Sequence, residues 1–397
     1  MPERKRGQIV KRGNSYLVRV PLGTGADGER DYHNNTLYTK KDAQAYLAKV
    51  QHEVDVGKFV NPSKELLKEH IDKWLKSTVK QRVSAKTLNS YEQIVKRYIV
   101  PGLGHIKLHQ LTAAKIQSFY ADLLEKGLSP RTVRYTHAVL RSALKQSVKF
   151  GGIHRNPADL VDLPRQQRKE MRAFTPAQAA EFMRAIVYSS LKTLFSLLLA
   201  SGMRPSEALG LKWTDINFAT GRVTVQRTLI RIRGQKNWRL EEPKTAKSRR
   251  VIPLPPTVLA DLEEHKIAQS AVKQKAQPGK YNDQNFVFAA ANGEPLFDRN
   301  VSREFKSILK SVGLPDIRLY DLRHTCATLL LSARENTKVV SERLGHASVV
   351  LTLDTYSHVL PDMQDKAAAT LEDILFNKPA ESSLHTIRTQ DKKITGA

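Results

Sequence analysis

Polar and apolar positions change their period three times along the chain. Near the start, Tyr16, Val18 and Val20 alternate with Leu17, Arg19 and Pro21, the two-residue period of a strand. Gly23, Gly25 and Gly28 mark a turn, and a second extended run covers Asp31 to Tyr38. Thr39 followed by Asp42 resembles a capping box, and Ala43, Tyr46, Leu47 and Val50 then recur at helical spacing. The pattern predicts three short strands and one helix over residues 1–60, with Asn61-Pro62-Ser63 as the linker that follows.

From 64 to 160 the period is helical throughout. Leu67, Ile71, Trp74 and Leu75 share one face, as do Leu88, Tyr91, Ile94, Val95 and Tyr98 on a helix expected to stop near Pro101-Gly102. Thr112 is placed to cap a third helix with Ile116, Phe119, Tyr120, Leu123 and Leu124 inward. Ser129-Pro130 opens a fourth, a cap residue followed by proline in the first turn. Pro164 and the basic stretch Arg165 to Arg172 read as a linker. Thr175-Pro176 repeats the helix-start signal and opens a mainly helical segment, 172–377. It is interrupted from Arg222 to Leu254 by a stretch rich in Val, Ile, Thr and Trp that reads as strands. Residues 378–397 form a polar tail expected to be disordered. The fold class expected is mainly α with small β elements, in three domains.

Composition narrows the class of partner. The 397 residues include 65 Lys and Arg against 39 Asp and Glu, a net charge of +26, with 40% hydrophobic residues. Enough apolar residues to bury real cores, joined to so large a positive charge, point to a polyanion, of which nucleic acid is the commonest. The charge peaks in residues 61–171, with 21 basic and 9 acidic residues, so that segment is the first candidate for wrapping a phosphate backbone. Cys326 is the sole cysteine, so neither an intramolecular disulfide nor a cysteine-based metal site forms within the chain. The N-terminus MPERKRGQIV lacks the apolar core of a signal peptide, and no unbroken apolar run approaches a membrane span. A soluble protein of the bacterial cytoplasm, associated with the nucleoid, is expected.

The candidate chemistry lies in the third segment. Cleaving a phosphodiester without metal or free water needs a nucleophile that forms a covalent link, cations placed on the phosphoryl oxygens and a proton donor for the leaving oxygen. Arginine suits the second task, because its planar fork pairs two phosphate oxygens and stays charged. Arg204 follows a glycine turn in Gly202-Met203-Arg204-Pro205-Ser206-Glu207, with Ser206 as a possible cap for the helix behind it. Lys244 stands in Lys244-Thr245-Ala246-Lys247-Ser248-Arg249-Arg250, at a turn between strands. Arg323 lies in Tyr320-Asp321-Leu322-Arg323-His324-Thr325, His346 in Leu344-Gly345-His346, and Tyr356 ten residues further on. Each residue alone is a weak signal: a lone tyrosine is usually core, and a lone arginine usually a surface ion pair.

In this order, G-x-R-x-S-E, K-T-x-x-S-x-R, D-L-R-H-T, L-G-H and the following Tyr resemble the tyrosine recombinases, or phage-type integrases. The resemblance implies a small β-sheet arm-type DNA-binding module over 1–60, a helical (SAM-like) core-binding domain over 64–160 and a mixed α+β catalytic domain over 172–377. It also implies roles. Tyr356 would attack the scissile phosphate and hold a 3′-phosphotyrosine, conserving the bond energy so that no cofactor or metal is needed. Arg204 and Arg323 would clamp the non-bridging oxygens, Lys244 (with Lys247 as its rival) would protonate the departing 5′ oxygen, and His346 would hydrogen-bond the phosphate. Glu207 would orient Arg204. The sequence departs from the family at Tyr320, where a histidine is usual. A tyrosine hydroxyl donates to phosphate but, with an ordinary pKa of about 10, is a poor proton acceptor. His324, one residue after Arg323 and so turned another way on a helix, reads as structural.

For DNA reading, Gln8, Lys11, Arg12, Tyr16 and Arg19 lie on a strand pair that could enter a major groove. Lys86, Lys96, Arg97, Arg131, Arg134 and Arg141 flank helices where they could reach phosphates, positioning the duplex without reading bases. The family pattern implies double-stranded DNA with core-type and arm-type sites, a homotetramer on two duplexes, an excision factor and a host DNA-bending protein, and no membrane partner. Ala367, Ala368, Leu371 and Ile374 recur at helical spacing, a candidate surface for docking onto a neighbouring subunit. A DNA-binding protein without catalysis and a type IB topoisomerase are the alternatives.

Overall fold

A computed structural model of the chain describes residues 7–24, 29–56, 59, 65–166, 171–231, 238–242, 248–356 and 363–376. The chain divides into two compact units, Met1–Arg168 and Lys169–Ala397. Among the described residues no helix is long and apolar enough to cross a membrane.

The first unit holds two separate hydrophobic cores. Strands β1 (Gln8–Arg12), β2 (Ser15–Thr24) and β3 (Arg30–Leu37) form an antiparallel sheet in the order β1-β2-β3. Helix α1 (Lys40–Asp55) follows, and the Thr39 side chain accepts from the Asp42 amide at 3.1 Å, the cap expected from sequence. Val18, Val20, Ala43 and Val50 are buried between sheet and helix, with Ile9, Tyr16 and Leu37 packed around them. The Gly25 and Gly28 turn lies outside the described residues.

The second core belongs to four helices. Helix α2 runs Leu67–Trp74, widens into a π-turn at Leu75–Val79 and ends in Lys80–Arg82. Helix α3 repeats the plan with Ala85–Ile94, a π-turn at Val95–Ile99 and Val100–Leu103. The helix stops one residue past Gly102, close to where the sequence predicts, with Pro101 inside its last turn. The wider turn before it carries no i−4 bond for a proline to break, so the chain stays helical to Leu103. Helices α4 (Ala113–Glu125) and α5 (Pro130–Lys149) start at Thr112 and Ser129, each accepting from the backbone three residues on. Ile116, Phe119, Tyr120 and Leu123 are buried as expected, but Leu124 is 37% exposed, one step round from the buried stripe.

The second unit wraps helices around a small sheet. Helices α6 (Pro176–Ala185), α7 (Lys192–Ser201) and α8 (Pro205–Leu209) come first. Strands β4 (Ile216–Asn217), β5 (Arg222–Val225) and β8 (Arg250–Pro253) make one sheet, and β6 (Thr228–Arg231) and β7 (Trp238–Glu241) a hairpin. Then follow α9 (Pro256–Lys275), α10 (Asp298–Ser311), α11 (Asp321–Ser332), α12 (Thr337–Leu344), α13 (Val349–Tyr356) and α14 (Met363–Leu375). Phe182, Phe195 and Phe305 meet with ring centroids 5.5–6.0 Å apart at the centre of the main core. Each buried ring contributes roughly 1.5–3 kcal/mol. That rigid centre holds α7, which ends at the chemistry.

Candidate active site

Helix α7 ends at Gly202, whose φ of 66° is the left-handed conformation that glycine adopts without strain. A Cβ there would stand 2.7 Å from Leu344 and 3.2 Å from the Cys326 sulfur, so α7 packs this closely on α12 and α11 only with glycine at its end. The chain then turns at Arg204 into α8. Ser206 does not cap α8, as the sequence suggested. Arg204 holds the cap position and Pro205 the first turn, and Glu207 supplies the oxygen, accepting from the Arg204 amide at 3.0 Å.

Glu207 is the hub. It is 2% exposed, and its carboxylate also accepts from Arg204 Nη1 at 2.6 Å and from Arg250 Nη2 at 2.9 Å. Burial pushes its pKa up, but Arg250 and Arg204 outweigh burial and hold it below the ordinary carboxylate value. Arg204 is likewise opposed by burial, yet Glu207 and Tyr320 keep its guanidinium above its usual value. Arg250 was not singled out from the sequence. Its side chain is 6% exposed and spends its other donors on the Arg343 carbonyl (2.6 Å) and the Ser248 carbonyl (3.1 Å), which makes it a brace. The clue was its place in K-T-x-x-S-x-R, the last residue of a motif already noticed for Lys244.

Arg323 lies in the first turn of α11 and is 2% exposed. Its Nη1 donates to the Gly202 carbonyl at 2.9 Å, and its Nη2 has no partner among the described residues. Burial first, then neighbouring Arg204, pulls this guanidinium below its ordinary value. His346 follows Gly345, the left-handed end of α12. Its Nδ1 is 2.8 Å from Thr352 Oγ1 on α13. Burial, then Arg323 and Arg204, push it down to about 4, so at neutral pH it is an uncharged ring with one N–H to donate.

Tyr356 closes α13. It is 1% exposed, packed among Ala327, Leu331, Val340 and Leu344, and burial drives its pKa well above 10. Its hydroxyl lies 2.7 Å from His324 Nδ1. The sequence reading set His324 aside because it faces away from Arg323. In the structure the Tyr356 hydroxyl sits against the His324 ring, and the Arg323 charge reaches both groups. Tyr320, 38% exposed, meets the His324 ring edge-on at 5.4 Å. The structure thus brings together Arg204, Glu207, Arg323, His346, Tyr320 and Tyr356. Lys244 and Lys247 lie outside the described residues.

In the first unit, cross-strand pairing sorts the five sheet residues onto two faces. Gln8 pairs with Arg19 and Arg12 with Ser15 on the outer face, where Arg19 also stacks on Tyr32 at 3.8 Å. Lys11 pairs with Tyr16, and Tyr16 packs against the core beside α1. The five therefore do not form one reading surface, because alternate strand positions point to opposite faces. Lys86, Lys96, Arg97, Arg131 and Arg134 are exposed. Arg134 donates to the Pro164 carbonyl at 3.2 Å, and Arg141 is engaged by Asp159 at 2.5 Å.

Comparison with known proteins shows the family. Residues 172–363 match the phage integrase family and residues 66–124 its N-terminal SAM-like domain. A XerC-like tyrosine recombinase of Caldanaerobacter subterraneus subsp. tengcongensis is 30% identical over 388 residues, covering 93% of this chain and 99% of that one. The chain belongs to the phage integrase family. Another member, the ICEBs1 integrase of Bacillus subtilis, is 27% identical and covers 92% of this chain and 100% of its own. Among solved phage integrase family structures, the Tn1549 transposon integrase with transposon right-end DNA has a TM-score of 0.66 and 25% identity, over 78% of this chain and 99% of that one. A lambda integrase tetramer bound to a Holliday junction shares the fold at TM-score 0.57 and 18% identity, over 88% of this chain and 97% of that one. The fold is that of a tyrosine recombinase, mainly α with small sheets.

Proposed function

We propose that this integrase cuts and rejoins DNA through Tyr356 to insert and excise the mobile element that carries its gene. The observation that carries the reading is Arg323: a buried guanidinium with one nitrogen unpartnered among the described residues, beside Arg204 and His346. A buried cation is costly without a charged partner. A phosphate supplies that charge and accepts the free N–H. Tyr356 Oη attacks phosphorus, Arg204 and Arg323 hold the non-bridging oxygens, and His346 donates to one of them. The 5′ oxygen leaves with a proton from Lys244, and the 3′-phosphotyrosine keeps the bond energy for rejoining.

The helical segment 64–160 holds core-type sites through Lys86, Lys96, Arg97 and Arg131 on phosphates. The outer sheet face with Gln8, Arg12 and Arg19 reads arm-type sites. Four copies join two duplexes, an excision factor and a host bending protein set direction, and the nucleoid is the place of work. Exposed Leu371, Ile374 and Leu375 on α14 dock onto a neighbouring subunit.

Strand exchange tests this. Two labelled duplexes carrying the element's ends, mixed with the full chain, give recombinant products. A chain ended at residue 360 gives cleavage with little exchange. Relaxation of supercoils with no exchange would instead place the chain among type IB topoisomerases, and undiminished exchange by the shortened chain would remove the docking role of α14.

A further inference from the structure

Arg204 and Arg323 serve the phosphate, which leaves the attacking oxygen in need of a proton acceptor. Tyr320, at the position where a histidine would be expected, does not fill that need, since its hydroxyl oxygen is taken up by Arg204. The groups around the Tyr356 hydroxyl narrow the choice. His324 Nδ1 is 2.7 Å away, and its ring lies between Tyr356, at a centroid distance of 5.9 Å, and Tyr320 at 5.4 Å.

We propose that His324 is a further catalytic residue, the base that takes the Tyr356 proton as the tyrosine attacks. This rests on the reading of Tyr356 as nucleophile. With Nδ1 facing the hydroxyl as acceptor, the ring proton sits on Nε2. During cleavage the Tyr356 O–H bond breaks and its proton passes to Nδ1. The Tyr356 O–P bond forms, the P–O5′ bond breaks, and the leaving oxygen takes its proton elsewhere. On rejoining, Tyr356 recovers the proton from His324.

The charged and titratable groups facing the ring are Asp321, Arg323 and Tyr320 from its own helix start, Arg318 just before it, Tyr356 from α13 and His346 from the loop between. Burial, with Arg323 and Arg318, keeps the free ring below its ordinary value despite Asp321, so it is uncharged and able to accept at neutral pH. An arriving phosphate counters those two arginines and strengthens the base as it is needed.

The test is single-turnover covalent-complex formation by the full chain on a nicked duplex that cannot religate, across pH. His324→Asn puts an amide oxygen where Nδ1 stands, so the hydrogen bond to Tyr356 survives but proton transfer does not. The variant should bind DNA as the parent does and form the complex at least about 100-fold more slowly, the size of a lost general base. The acid-side decline of rate expected of the parent should vanish with it. A parental rate or an unchanged pH profile in His324→Asn would overturn the inference while leaving Tyr356 in place. In the unaltered protein, a duplex whose 5′ bridging oxygen is sulfur leaves without needing a proton. The acid-side decline should persist with that substrate, and its loss there would also overturn the inference. If the parent forms no Tyr356-dependent complex at all, the recombinase reading falls and this inference with it.

Discussion

Arg323→Met should lower single-turnover cleavage by about 10³-fold or more, as when an arginine stabilising a transferring phosphoryl group is removed. It should leave DNA binding and thermal stability unchanged, or raise the latter. The two halves of this expectation have one cause. Arg323 is buried, with Nη1 on the Gly202 carbonyl and Nη2 unpartnered among the described residues, so the free protein carries the desolvation of a cation without full compensation. An unbranched apolar side chain of similar reach removes that burden, much as apolar replacement of buried ionic groups is often neutral or stabilising. The phosphate loses that free donor and its charge at the same time. Arg323→Lys keeps the charge and loses the fork, so it should fall between parent and Met. The measurement is the rate on a nicked duplex beside a thermal melt. A melting temperature several degrees lower, with cleavage reduced less than about tenfold, would mean that Arg323 serves the fold and not the phosphate.

Glu207→Gln should destabilise the second unit by about 3–5 kcal/mol, the cost of leaving buried charge without its partner. Glu207 accepts from the Arg204 backbone, the Arg204 side chain and Arg250. Glutamine leaves one oxygen for those three donors and turns an NH₂ group towards a guanidinium. Arg204 then loses its orientation, and cleavage should fall by roughly 10²-fold, as when a single preorganised donor is lost. The pH dependence follows from the sign of the shift. Glu207 titrates below its ordinary value in the folded protein, so its contribution is complete above about pH 4.5 and is lost as pH falls through the lower folded value. Parent and variant should therefore differ most near neutrality and converge in strong acid. A denaturant-unfolding difference under about 1 kcal/mol at pH 7 would contradict the hub role.

Local chemistry made much of this fold readable. Thr39, Ser129 and Thr175 announce helix starts because their side chains answer amides that the helix leaves open. Arg204, Arg323, His346 and Tyr356 stand in the sequence as an ordered set of short motifs, and the structure gathers them in the second unit. What escaped was decided by neighbours distant in sequence. Tyr16 sits on a strand whose two faces look alike in a short window, and only the seating of α1 shows which face is covered. Ser206 has the chemistry of a cap, but Pro205 opens the helix and puts Arg204, two residues earlier, at the cap position, with Glu207 supplying the oxygen. His324 was set aside because one face of α11 was taken to hold all the chemistry. Its contact with Tyr356 depends on α13 returning to α11, 32 residues later.

The most direct measurement is covalent trapping. Purified protein is incubated with a nicked duplex made from the ends of its own element, and parent and Tyr356→Phe are compared on a denaturing gel. The account predicts a DNA-linked protein band from the parent and none from Tyr356→Phe, with equal DNA binding by both. A band that persists in Tyr356→Phe would contradict Tyr356 as the nucleophile, and no band from either, on DNA that both bind tightly, would leave a DNA-binding protein without this chemistry.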